Sequence, residues 1–205
     1  MKTTNPEGVN LVTDGCRTTV QLLRIVSDAV AGGVTMVQLR EKTADTRTFL
    51  ERAWALKRRL QGTGVPLIIN DRVDIALAVD ADGVHLGQSD MPVEIARRLL
   101  GPNKIIGLSV ENLEQIESAN ELDIQYIGIS PIFATPTKTD TKAPFGLEGA
   151  RQAVMMSKHP TIGIGGINAS NIDAVWATGL DGVAVVSAIM SAPDPQQAAR
   201  DLVRG

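Results

Sequence analysis

Short apolar runs alternate with longer stretches of helical periodicity from one end of the chain to the other. Residues 8–14, 35–41, 66–71, 83–88, 104–110, 126–132, 161–167 and 182–189 are rich in Val, Ile or Leu and bounded by Gly, Pro, Asn or Asp. That pattern predicts eight strands. Residues 20–31, 46–60, 73–79, 93–100, 112–122, 147–157, 169–177 and 195–203 predict the intervening helices. The clearest is 46–60, where Phe49, Leu50, Ala53, Leu56 and Leu60 recur near a 3.6-residue period. Strand followed by helix, repeated in this way, predicts an α/β fold with a parallel sheet and right-handed crossovers. Eight units favour closure into a single-domain TIM (β/α)8 barrel over an open doubly wound sheet. The first turn, Thr13-Asp14-Gly15-Cys16-Arg17, also lacks the G-x-G-x-x-G of a dinucleotide-binding fold. No linker or low-complexity tract divides the chain, so residues 1–205 read as one domain.

Composition narrows the function classes. Aromatic residues are only 3% of the chain, so the core has to be built from aliphatic side chains. The net charge of −3 offers no basic face for a nucleic acid. A lone cysteine, Cys16, cannot form an internal disulfide and fits a reducing compartment. The N-terminal residues have no apolar core like that of a signal peptide, and no apolar run reaches the roughly 18 residues of a membrane helix. These features predict a cytoplasmic protein with neither a membrane nor a nucleic-acid partner, and leave room for a homo-oligomer.

In such a barrel, functional groups sit at the C-terminal strand ends and in the loops after them. Strand two ends Gln38-Leu39-Arg40-Glu41-Lys42. Alternation puts Gln38, Arg40 and Lys42 on one face and Leu39 on the other. If Leu39 packs on the helices, the two cations face the barrel mouth, where a diphosphate would meet them; a solvated strand end paired with acids is the plainer reading. Asp71 and Asp90 end strands three and four, an arrangement suited to Mg2+, although each carboxylate could instead cap the following helix. Gly165 and Gly166, with Val186 and Ser187 at the end of strand eight, match the backbone phosphate sites of many barrels. Residues 133–145 form the one long irregular stretch, and Thr135, Pro136, Thr137 and Lys138 within it suit a lid over a charged ligand. Ser109 shares the inward parity of Gly107. His85 alternates against Gln88 and Asp90, which predicts a structural histidine facing the helical layer. No nucleophile–histidine pair and no zinc spacing is evident.

Gln38-Leu39-Arg40-Glu41-Lys42, Ile69-Asn70-Asp71, Gly83 to Asp90, Gly107-Leu108-Ser109, Thr135-Pro136-Thr137-Lys138, Gly163 to Ile167 and Val186-Ser187 together resemble the thiamine phosphate synthase family. The motifs keep the family's order and span strands two to eight. The resemblance implies a Mg2+-dependent transferase acting on two small phosphorylated substrates, an aminopyrimidine methyl diphosphate and a thiazole phosphate. It implies that Gln38, Leu39, Arg40, Glu41, Lys42, Asn70, Ser109 and Lys138 hold the pyrimidine diphosphate. Among these, Arg40, Lys42 and Lys138 would carry catalysis. Asp71 and Asp90 would bind one Mg2+, and Thr135, Pro136, Thr137, Gly166, Val186 and Ser187 would hold the thiazole phosphate. Two positions depart from the family pattern: Ser130 stands where glycine is usual, and Asn10 precedes Leu11 in an altered first strand. The competing readings are a sibling barrel that isomerises thiazole phosphate without Mg2+, a non-catalytic ligand sensor, and a more generic phosphate-binding barrel enzyme.

Overall fold

The computed structural model describes residues 6–134 and 143–204. Eight parallel strands close in sequence order, β1 (Gly8–Val12), β2 (Val34–Leu39), β3 (Leu67–Asn70), β4 (Gly83–Leu86), β5 (Ile105–Val110), β6 (Tyr126–Ile129), β7 (Thr161–Ile164) and β8 (Gly182–Val185). β8 pairs back onto β1, with Gly8 opposite Gly182 and Leu11 opposite Val185. The crossover helices are α1 (Thr19–Ala31), α2 (Thr46–Leu60), α3 (Val73–Ala78), α4 (Val93–Leu100), α5 (Leu113–Ala119), α6 (Gly146–Met156) and α7 (Ile172–Trp176). A short α8 (Ser187–Met190) and a final α9 (Pro195–Arg200) follow β8.

The predicted strands are all present, and all but β5 end earlier than their apolar runs. The run 182–189 splits into β8 and α8, and the run 126–132 stops at Ile129. Apolar character continues past the last ladder hydrogen bond because the first loop residues still pack on the barrel rim. Ile132 and Ile189, for instance, are fully buried beyond their strands. Helix starts agree more closely: those expected at 46, 73, 93 and 195 are the starts of α2, α3, α4 and α9, and some starts carry side-chain caps. Thr18 forms a capping box with Gln21 ahead of α1, and the Asp45 carboxylate accepts from the Thr48 N–H ahead of α2.

Alternation along the strands divides the apolar residues into two bodies. Outward positions such as Leu39, Ile69, Leu86, Ile127 and Val183 pack with the helices. Inward positions form a separate cluster of Val12, Met36, Ile68, Ile105, Tyr126, Ile162 and Ala184 that fills the barrel. Tyr126 is the one aromatic ring in that inner body, and it fits because β5 carries a glycine beside it. A Cβ on Gly107 would lie 2.1 Å from Tyr126 Cζ. We expect Gly107→Ala to lower stability by about 1–3 kcal/mol through overpacking. Calorimetry would show it as a lowered melting temperature, and an unchanged one would mean that the tyrosine ring is free to shift.

Candidate active site

One cavity of about 790 Å3 opens at the C-terminal ends of the strands. Its walls are the strand tips and the first residues after them. From β2 come Gln38, Arg40 and Lys42, from β3 Asn70 and Asp71, and from the turn after β4 Gln88, Ser89 and Asp90. Ser109 of β5 also lines it, as do Gly166, Val186 and Ser187 on the far side.

The β2 segment behaves as alternation requires. Leu39 is fully buried in the helix-facing core. Glu41 also turns away from the cavity: its carboxylate is buried and accepts from Arg52 Nη1 at 2.7 Å. Any contact that Leu39 and Glu41 make with a ligand therefore has to come from their backbone. Arg40 and Lys42 point into the mouth, where Lys42 Nζ lies 2.5 Å from Asp71 Oδ2.

Neither candidate metal carboxylate caps a helix. The N-cap positions of α3 and α4 are Arg72 and Pro92, and neither makes a side-chain cap bond. Asp71 instead sits in the left-handed region at φ 61°, with its N–H donating to the His85 carbonyl at 2.9 Å. That conformation is uncommon for a non-glycine residue and here swings the carboxylate back over the strand tip. Asp90 Oδ2 accepts from the Gly87 N–H at 2.7 Å across the turn after β4. Burial, together with the nearby Asp71 carboxylate, holds the Asp90 carboxyl above the usual aspartate range. Two carboxylates this close need positive charge beside them, and the Lys42 ammonium at Asp71 supplies part of it. Their hard oxygen donors suit Mg2+, which takes one or two carboxylates and completes its octahedron with water and substrate phosphate. Among the described residues no group of three or more His, Cys, Asp or Glu is placed to hold a metal ion.

Across the cavity, Gly165 and Gly166 adopt φ 105° and 68°. A Cβ on Gly166 would lie 2.7 Å from Phe133 Cβ, so only glycine lets the β7 turn tuck under the segment leading to residues 135–142. The resulting turn leaves backbone, not side chains, facing the space beside Val186 and Ser187. Thr135, Pro136, Thr137 and Lys138 lie outside the described residues.

The histidine expectation is corrected. His85 lines the cavity, with Nδ1 2.9 Å from the Tyr126 hydroxyl and Nε2 2.8 Å from Ser109 Oγ. Parity counted back from Gln88 and Asp90 fails because β4 ends at Leu86, and the turn at Gly87 resets the alternation. The ladder gives the right answer, since His85 pairs with Asn70 and with Gly107, both inward. Sequence reading also passed over Tyr126, the chain's only tyrosine, whose inward parity follows from Gly128 two residues on. Asn10 and Ser130, the two departures noted in the sequence, both reach the cavity wall and are buried.

A family model described as thiamine monophosphate synthase matches residues 9–189. The chain belongs to that family. It is 60% identical over 193 residues to the thiamine-phosphate synthase of Vibrio parahaemolyticus, covering 94% of this chain and 95% of the relative. Among solved structures it is similar to a thiamine phosphate pyrophosphorylase from Pyrococcus furiosus, with a TM-score of 0.85 and 38% identity over 97% of this chain and 95% of that one. A 3-hexulose-6-phosphate synthase matches with a TM-score of 0.71 over 95% of this chain and 97% of that one; at 18% identity it shows the fold alone. As a member of the thiamine monophosphate synthase family, the protein is an enzyme of the transferase class. Among the described residues no helix is long and apolar enough to cross a membrane.

Proposed function

We propose that this thiamine monophosphate synthase family member condenses 4-amino-2-methyl-5-(diphosphooxymethyl)pyrimidine with 4-methyl-5-(2-phosphooxyethyl)thiazole, releasing diphosphate. The single observation that carries the reading is the cluster at the β2–β4 tips. Asp71 and Asp90 lie beside Lys42, with Arg40 lining the same cavity, whose wall also includes the glycine turn of β7. The charged cluster suits a diphosphate and the glycine turn a monophosphate.

The reaction is read as a dissociative substitution. Asp71 and Asp90 would hold Mg2+, which when bound offsets the negative charge that grows on the departing diphosphate. Arg40 and Lys42 face the same leaving group from β2, and the resemblance adds Lys138 to them. Gln38, Asn70 and Ser109 line the adjoining wall and would hold the pyrimidine ring in line for departure. The substrate's own amino group donates electrons to the ring, so the carbocation needs no covalent help from the protein. The thiazole nitrogen brings its own lone pair, so its attack needs no strong base. Gly166, Val186 and Ser187 would anchor the thiazole phosphate, with Thr135, Pro136 and Thr137 joining them. Closure of residues 133–145 would exclude the water that otherwise traps the cation as an alcohol.

The isomerase reading would use a base at the thiazole and would leave the paired carboxylates without a task. His85 is in the cavity, but both ring nitrogens already face partners on β5 and β6, away from Gly166 and Ser187. A sensor would bind both phosphates without turnover. Incubating the protein with both substrates, with and without Mg2+, separates these readings. The expected result is Mg2+-dependent release of diphosphate in step with thiamine phosphate. Thiazole isomerisation alone, or binding without release, would overturn the proposal.

A further inference from the structure

Beneath the proposed pyrimidine end, four polar side chains from four strands meet in one row. The Gln38 amide faces the Tyr126 hydroxyl, that hydroxyl meets His85 Nδ1 at 2.9 Å, and His85 Nε2 meets Ser109 Oγ at 2.8 Å. The two rings stack at 5.5 Å between centroids. They share the barrel interior with Val12, Met36, Ile68, Ile105, Ile162 and Ala184, none of which carries a ring. Space is cleared for them by glycines of β5 and β6: a Cβ at Gly107 would strike the tyrosine, and one at Gly128 would come within 3.1 Å of His85 Cε1. A buried phenol and a half-buried imidazole are costly unless satisfied, and here they bond each other and reach two residues that line the cavity.

We propose, on the basis of the function above, that His85 and Tyr126 are positioning residues that set which of Gln38 and Ser109 donates and which accepts toward the pyrimidine. The proton count along the row permits two neutral orders. In one, the Gln38 amide N–H donates to the tyrosine oxygen, the tyrosine O–H donates to Nδ1, and Nε2–H donates to Ser109. Gln38 then offers its carbonyl to a ligand and Ser109 its O–H. In the other order every bond reverses, so Gln38 offers N–H and Ser109 offers an acceptor. Either way the two ends are opposite in character. The edge of an aminopyrimidine is an amino donor beside a ring-nitrogen acceptor, and it matches such a pair. Burial keeps the phenol protonated, which the relay of either order requires.

The chain has only two histidines, His85 and His159, so imidazole 15N spectra of the uniformly labelled protein can be assigned with His159→Gln. The probe is the aminopyrimidine methyl monophosphate, whose poorer leaving group keeps it intact. Saturation with it is expected to drive the His85 nitrogens to one tautomer, while inorganic phosphate leaves them where they were. Tyr126→Phe is expected to raise the KM for the pyrimidine diphosphate about tenfold or more, with the KM for the thiazole phosphate within about twofold of normal. His85→Gln, whose amide can still donate and accept, is expected to keep more of the pyrimidine affinity than His85→Ala. Unmoved His85 resonances on saturation, or equal KM effects on both substrates, would overturn the positioning role while wild-type turnover left the function standing. Absence of wild-type turnover would overturn both.

Discussion

Replacing Asp71 and Asp90 together with asparagine is expected to reduce thiamine phosphate formation by at least about 10^3-fold while the barrel stays folded. Asparagine keeps the shape of both side chains. It tolerates the left-handed backbone of residue 71, and its carbonyl can still accept from the Gly87 N–H at residue 90. Only the charge that would hold Mg2+ is lost. At Asp90 the stability effect runs the other way from the activity effect. The Asp90 carboxyl titrates above its unfolded value, so its stabilising contribution is full below the usual aspartate pKa and is lost as pH rises through the raised one. At neutral pH without Mg2+, the ionised Asp90 carboxylate is therefore a cost, and the single variant Asp90→Asn is expected to melt at or above the wild-type temperature. Adding Mg2+ with diphosphate is expected to raise the wild-type melting temperature and leave the double variant's unchanged. A double variant that keeps normal Mg2+-dependent rates would remove these residues from the metal site.

Arg52→Ala is expected to be the most damaging substitution outside the cavity. Arg52 Nη1 donates to the buried Glu41 carboxylate, and Nη2 donates to the Arg17 carbonyl at 2.9 Å. Arg17 in turn donates to the Met190 carbonyl at 3.0 Å, at the end of α8. One guanidinium thus joins α2, the tip of β2 and the β1–α1 loop, and through Arg17 the segment bearing Ser187. The Glu41 side chain is 1% exposed, so removing its partner strands a charge away from water. The expected loss is about 3 kcal/mol or more, roughly 6–12 °C in melting temperature for a chain of this size. Adding Glu41→Gln to Arg52→Ala should recover part of that loss, because a neutral amide is cheaper to leave buried. If the double variant recovers nothing, the damage comes from the lost bonds to backbone carbonyls instead.

The chemistry of the site was legible where it rests on residue type at a strand end. Arg40, Lys42, Asp71, Asp90 and Ser109 were all read as mouth residues, and all line the cavity. For Gln38 to Lys42, alternation also predicted which side chains turn away, and Leu39 does so. Parity is reliable only within a strand, so the inference failed at His85, where it was carried across the Gly87 turn. Glu41 illustrates a second limit. It follows the strand, and its partner Arg52 lies on α2, eleven residues further along.

By itself, the sequence determined the eightfold alternation of strands and helices, most of the helix starts, and the presence of carboxylates and cations at neighbouring strand ends. These are local properties, set by side-chain period and by residues a few positions apart. Only the tertiary structure decided that neither Asp71 nor Asp90 caps a helix, that Glu41 belongs to Arg52, and that Gln38, Tyr126, His85 and Ser109 meet in one row. Those outcomes depend on which strands become neighbours when the barrel closes and on the stagger between them. That register is fixed by packing summed over all eight strands, and no short stretch of sequence contains it.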